Sequence, residues 1–171
     1  DEGDISPLNL GMIAAYYYVQ YTTIELIASS VTAKTKTRGV MEILSAASEF
    51  STLPIRPGDE KTLRILGRTL KHQLPDSAQF HESNTKALVL LQCHFSRKSV
   101  SMDLRNDLQQ ILGESINLIQ AIVDVISSNG WLKPALAAME LSQMAVQGLW
   151  SKDNPLMQIP HFTKEIVGRC E

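Results

Sequence analysis

The chain has 171 residues, 44% of them hydrophobic and 20% charged, with a net charge of -2. That profile belongs to a globular chain rather than a disordered one, and a chain of this length buries about 70% of the surface its unfolded form exposes, enough for one core without staples. The near-neutral charge excludes autonomous electrostatic capture of nucleic acid or of an anionic membrane.

Two cysteines, Cys93 and Cys170, lie far apart with no CxxC spacing, which argues against a disulfide framework and a zinc knuckle and fits a reducing compartment. Uninterrupted apolar runs such as 89–91 are far shorter than a membrane span needs. The opening residues are acidic where a signal peptide would be basic. The chain also begins without Met and stops in mid-pattern at Cys170-Glu171, so it reads as an excerpt of a longer protein.

In chain order, Ser6-Pro7 supplies a hydroxyl cap and a proline at the first helical position, opening a helix from Leu8 to about Val19 with Ile13, Tyr16 and Tyr17 inward. Thr22 or Thr23 is expected to cap a second helix, 24–30. The run Lys34-Thr35-Lys36-Thr37-Arg38 is the only concentrated basic stretch, and a solvated helix entrance is favoured there over a phosphate contact. A helix is expected over 39–50, with Val40, Ile43, Leu44, Ala47 and Phe50 on one side, ending before Pro54 and Pro57. Asp59 is expected to cap a short helix to Leu70, and 74–81 reads as loop. Ser83 or Asn84 opens the next helix, whose Ala87, Leu88, Leu91, Cys93 and Phe95 make it apolar nearly all round, as befits the centre of a bundle.

The stretch 101–150 organises the rest. It reads as two long helices broken once, at Asn129-Gly130, and the short connection makes them antiparallel neighbours. The first carries Leu104, Leu108, Ile111, Leu112, Ile119, Ile122, Val123 and Ile126 at helical spacing. Its opposite face holds Asn106, Gln110, Gly113, Asn117, Gln120, Asp124 and Ser127, polar but almost uncharged. Such a face suits contact with something polar, nucleic acid or another domain, without burying charge; a charge-poor solvent face fits the pattern equally well. The second helix runs over 131–150, with Pro134 tolerable in its first turn and Trp131 anchoring the corner. Asn154-Pro155 ends it, 159–163 is an extended link, and Thr163 starts one more helix. No stretch alternates as a strand would, so the class is all-α: a multi-helix bundle with a long central helix.

The chemistry is sparse. The nine glycines form neither GxGxxG nor GxxxxGK[ST], so a nucleotide phosphate finds no Gly-rich cradle. His72, His81, His94 and His161 lack HExxH spacing, and His94 in the most apolar helix reads as structural. Cys93, His94 and Ser96 do not assemble into a nucleophile, base and orienter. No catalytic residue and no metal ligand is assigned.

Four segments carry a family resemblance: "SPLNLGMIAAYYYVQYTTIE" from Ser6, "KTKTRGVMEILSAASEFSTLPIRPGDE" from Lys34, "VDVISSNGWLKPALAAMELSQM" from Val123 and "LWSKDNPLMQIPHF" from Leu149. Together they resemble the Sec sixty-three homology unit of the large Ski two-like spliceosomal RNA helicases of the U5 small nuclear ribonucleoprotein, over Pro7 to Phe162. The resemblance implies a helical bundle over 1–162 followed at 163–171 by the start of a helix-loop-helix domain. It also implies a parent chain with two cassettes, each pairing RecA-like motor domains and a winged helix with one such unit. The tyrosine run at 16–18, Thr22 to Glu25 and "SSNGW" from Ser127 are more similar to the second, C-terminal cassette, a regulatory and docking cassette. The related activating-signal cointegrator helicases are expected to be more distant in these motifs.

By the same resemblance the long helix, matched over 103–128, is a ratchet helix crossing the tunnel for single-stranded RNA. Its RNA-facing residues are then Asn106, Gln110, Asn117, Gln120 and Asp124. Where the active cassette resembles this helix but has an arginine, this chain has Asn117, which removes a charge-assisted phosphate contact. The implied role is a non-catalytic module closing the tunnel and docking partners in pre-mRNA splicing. The alternatives are an RNA-gripping ratchet of an active cassette and a stand-alone helical interaction domain. ATP and Mg are expected only in the parent's motor domains. Expected partners are those RecA-like and winged-helix domains, other spliceosomal proteins and single-stranded RNA, in the nucleus and with no membrane contact.

Overall fold

A helix of 27 residues runs through the middle of the molecule, and five other helices pack on it. The computed structural model describes residues 8–74 and 78–170. In chain order the helices are α1 (Asn9–Tyr17), α2 (Tyr21–Ser30), α3 (Thr37–Ser45), α4 (Asp59–Gly67), α5 (Ser83–Phe95), α6 (Met102–Ser128), α7 (Leu132–Gln147) and α8 (Lys164–Val167), with 3-10 turns at Ser48–Thr52 and Pro155–Gln158. The described residues contain no strand, and the all-α bundle is as the sequence pattern requires.

The central helix α6 starts where Ser101 offers its hydroxyl to the Leu104 amide and Asp103 sits in the first turn, favourably placed against the helix dipole. Leu104, Leu108, Ile111, Leu118, Ile119, Ile122, Val125 and Ile126 are buried along one side, against α1, α2, α3, α5 and α7. Each such side chain contributes about 1.5–3 kcal/mol relative to exposure. By length and hydropathy alone α6 could cross a bilayer. Its packing within the bundle, with Asp107 buried among other charges, instead gives it the interior of a helical domain.

The corner after α6 turns at Gly130, whose φ of 71° is the left-handed conformation that a Cβ disfavours. Ser127 and Val125 carbonyls accept from the Gly130 amide and the Asn129 side chain, satisfying the helix end. α7 then runs back along α6, with Ala135, Ala138, Leu141, Met144 and Ala145 inward and Trp131 packed at the corner. α5 is the second interior element: every residue from Thr85 to Cys93, and Phe95, is buried. A smaller apolar cluster, Leu63, Leu70, Val89 and Cys93, seats α4 on α5.

Several expected boundaries shift, each for a tertiary reason. α2 begins at Tyr21, so neither Thr22 nor Thr23 caps it. Glu49 does that from the 3-10 turn, accepting from the Gln20 amide at 2.8 Å and from the Thr23 hydroxyl at 2.6 Å. The helix expected over 39–50 is α3 plus that turn. The Thr23 hydroxyl accepts from the Ser48 amide and bends the chain after Ala47. Asp59 is the first residue of α4, not its cap, and its carboxylate turns back onto the Arg56 amide at 3.0 Å. α7 stops at Gly148, before Trp150, because the chain turns left-handed there (φ 60°) with the Gly148 amide donating to the Met144 carbonyl, and a Cβ at that position would also lie 3.2 Å from the His94 ring. The loop expected at 74–81 lies partly outside the described residues, and its Leu74 and Phe80 are half-buried. Tyr16 faces solvent rather than the core, while Tyr17 is half-buried.

Candidate nucleic-acid interface

On the side of α6 away from its buried stripe, Asn106, Gln110, Gly113, Asn117, Gln120 and Ser127 are all exposed. Apart from its chain neighbours and the adjoining helix backbone, nothing lies within 4 Å of the position a Cβ would take at Gly113. Four of the five residues singled out as RNA-facing, Asn106, Gln110, Asn117 and Gln120, thus share one open strip about four turns long. Their amides can donate and accept but bring no charge, so any polyanion beside them is held by hydrogen bonds alone.

Asp124, the fifth, is placed differently. It is half-buried, and the Tyr17 hydroxyl of α1 donates to its carboxylate at 2.8 Å. The hydrogen bond to Asp124, with burial adding to it, pushes the Tyr17 phenol up to about 12. One turn further, the Asn9 side-chain amide donates to the Ser128 hydroxyl at 2.7 Å. α1 therefore closes the C-terminal end of the strip, leaving its middle and N-terminal half open.

What stiffens that half lies directly behind it. Asp107, next to exposed Asn106, points inward and is 4% exposed. The Arg56 guanidinium grips it with two parallel hydrogen bonds of 2.6 and 2.9 Å. Lys86, wholly buried on α5, reaches the same carboxylate at 2.7 Å, Asp59 at 2.6 Å and the Pro54 carbonyl at 2.6 Å. All three ammonium protons of Lys86 are thereby used. Two cations face two carboxylates, so the cluster is neutral and ties the 54–59 segment, α5 and α6 at one point.

The Arg56 hydrogen bonds, with help from Lys86, hold the Asp107 carboxyl below the usual carboxylate range despite its burial. For Asp59 burial opposes ionisation, but the Lys86 ammonium and the Arg56 amide outweigh it and its carboxyl is also lowered. Arg56 itself is held more firmly protonated by Asp107.

This cluster is absent from the sequence reading, although a signal was there. Asp107 falls on the apolar stripe between Leu104 and Ile111, and Lys86 sits in the helix that is otherwise apolar all round. A charge on a buried face needs a partner; the partner, Arg56, came from a proline-flanked loop whose position pattern cannot give.

The remaining titratable groups have structural surroundings. His94 lies 2.8 Å from the Ala145 carbonyl through Nε2 and braces α5 against α7. Burial raises the Cys93 thiol to about 11, which suppresses the thiolate a nucleophile needs. The described residues offer little to a metal ion. These contain no grouping of three or more His, Cys, Asp or Glu suited to a metal, and Asp59 and Asp107 are already taken by Lys86 and Arg56.

Fold and surface define an all-α helical module built around one long helix that carries an exposed amide strip. A family model, the Sec63 Brl domain, matches residues 7–168, and the chain belongs to that family. It is 54% identical over 170 residues to the U5 small nuclear ribonucleoprotein 200 kDa helicase of Homo sapiens, covering 99% of this chain and 8% of that protein. Against the DExH-box ATP-dependent RNA helicase DExH12 of Arabidopsis thaliana it is 50% identical over 173 residues, 100% of this chain and 8% of that one. A Dictyostelium discoideum protein, activating signal cointegrator 1 complex subunit 3-like, is 52% identical over 167 residues, covering 98% of this chain and 7% of that one. Over its whole length the relative bearing the cointegrator name thus falls between the other two in identity. The chain spans about 8% of the length of these relatives.

Proposed function

We propose that the chain is the helical module that closes the RNA tunnel of one cassette of a spliceosomal RNA helicase, and that it serves there as a regulatory and docking scaffold in pre-mRNA splicing, in the nucleus. The identity to a U5 small nuclear ribonucleoprotein helicase over almost the whole chain supports this reading. The single observation that carries the tunnel assignment is the exposed amide strip of α6, Asn106, Gln110, Asn117 and Gln120, on a helix otherwise surrounded by its own domain. RNA passing there meets hydrogen-bonding groups that do not grip its phosphates, which suits a cassette that guides and regulates rather than one that pulls. The C-terminal cassette is the better home for such a helix, with RecA-like and winged-helix domains of the parent chain as its neighbours and ATP and Mg confined to the motors. The helical bundle on this reading ends at 162, and α8 begins the next domain.

Site-specific photo-crosslinking tests the tunnel assignment. A benzophenone side chain placed at Asn117 of the full-length parent helicase should crosslink to bound single-stranded RNA. One placed at Leu132, exposed on α7, should not. Equal crosslinking at both positions, or none at Asn117 with RNA bound, would refute it.

A further inference from the structure

A second surface, on the α7 side of the bundle, has a different chemistry from the amide strip. Between α7 and the connection from α2 to α3 lies a groove of about 700 Å³, with Leu136 and Ala137 in its wall and Lys34, Lys36 and Lys133 around it. Through Lys36 it continues into a second hollow of about 360 Å³, where Lys71 and Lys152 join the lining. Among the described residues Lys34, Lys36 and Lys133 take part in no ion pair. Glu140 is the one carboxylate shared by the two hollows, and the Thr37 hydroxyl donates to it. On a chain of net charge -2 this concentrates positive charge on a single face.

Beside the groove an aliphatic stripe runs up α7. Leu132, Leu136, Met139 and Val146 are 70, 54, 46 and 74% exposed, at spacings that put them along one side of the helix. An aliphatic stripe bordered by unpaired lysines complements a helix with leucine-like residues on one side and carboxylates at its flanks. A nucleic acid would match the lysines but not the stripe. It would also want an open aromatic face for stacking, and Trp150, the aromatic indole lining the second hollow, is 8% exposed and covered by the Lys71 ammonium at 4.7 Å.

We propose that this groove docks an acidic amphipathic helix of a partner protein, its apolar side on Leu136 and its neighbours and its carboxylates on Lys34, Lys36 and Lys133. The proposal rests on the scaffold part of the functional reading and is independent of the α6 strip. The full-length parent helicase leaves the groove open on this account.

The test is selection of 16-residue peptides from a random display library against the full-length parent helicase, followed by affinity measurement on synthetic copies. The expected winners are rich in Asp and Glu flanking helically spaced Leu, Ile or Phe. Leu136→Asp and the double variant Lys36→Glu with Lys133→Glu should each weaken them at least tenfold. Both sets of positions are exposed, so the variants keep their thermal transition. Asn117→Arg should leave peptide affinity unchanged, which separates this result from that of the tunnel assignment. Four outcomes would overturn the proposal: no enrichment, winners without acidic residues, winners indifferent to the groove variants, or a twelve-nucleotide oligouridine that needs the lysines but not Leu136 and displaces every peptide.

Discussion

Replacing Lys86 by Met should be among the most destabilising single changes available to this domain. The ammonium is wholly buried and satisfies the Asp59 and Asp107 carboxylates at 2.6 and 2.7 Å and the Pro54 carbonyl at 2.6 Å. A methionine fills the volume but leaves Asp59 with the Arg56 amide at 3.0 Å and a guanidinium nitrogen no nearer than 4.0 Å. Asp107 retains its two-pronged contact with Arg56. The loss is therefore that of one partner from a buried ion cluster, about 3–5 kcal/mol, against a total stability of about 5–15 kcal/mol for a domain. At about 2–4 °C per kcal/mol for a chain of this size, the melting temperature should fall by about 6–20 °C. Circular dichroism measures the free-energy loss by urea titration and the shift in melting temperature by heating. Adding Asp59→Asn to Lys86→Met should recover part of the loss, since the stranded charge is then gone. A single-variant loss under about 1 kcal/mol, or no recovery in the double variant, would refute the claim that the cluster works as a coupled unit.

The same cluster predicts an acid limit. Asp59 and Asp107 have carboxyls lowered in the folded chain, so their stabilisation is complete above the unfolded carboxylate value near about 3.9 and is lost as pH falls through the folded values below it. Stability measured from pH 6 to pH 2 should fall steeply below about pH 4, and Asp107→Asn should flatten that fall; an unchanged slope in the variant would contradict the assignment. The two cysteines should part sharply in reactivity. Exposed Cys170 should react with Ellman's reagent at neutral pH in minutes, whereas Cys93, buried with its thiol at about 11, should react only on unfolding. Two thiols titrating together in the native chain would contradict the packing of α5.

Much of this was legible in the residues because α6 and α5 have periodicities that local sequence controls. Leu104, Ile111, Ile119, Ile122 and Ile126 are buried at the spacing that defined the helix, and the all-round apolar pattern of α5 puts it in the interior. The Asn129-Gly130 break marks the corner because a positive φ there needs glycine. Boundaries set by distant side chains were not legible. Thr23 looked like a local cap but serves the 3-10 turn, and the true acceptor for the start of α2 is Glu49. Nor could pattern show that Asp124, on the polar face, is claimed by Tyr17, or that Asp107 and Lys86 meet Arg56. These are contacts between segments far apart in the chain, and they depend on how the helices pack rather than on any one helix.

The central claim is that Asn117 lies on the RNA path without gripping RNA, and its most direct test is the salt dependence of RNA affinity in the full-length parent helicase. Asn117→Arg adds one cation at an exposed position on the amide strip. If that position faces the RNA, the variant should bind single-stranded RNA more tightly at low salt. The slope of log affinity against log salt should then steepen by about 0.7, the counterion-release increment for one phosphate on a single strand. Fluorescence anisotropy across a salt series reads both quantities. An affinity and a slope identical to those of the unmodified helicase would place Asn117 away from the RNA and contradict the account.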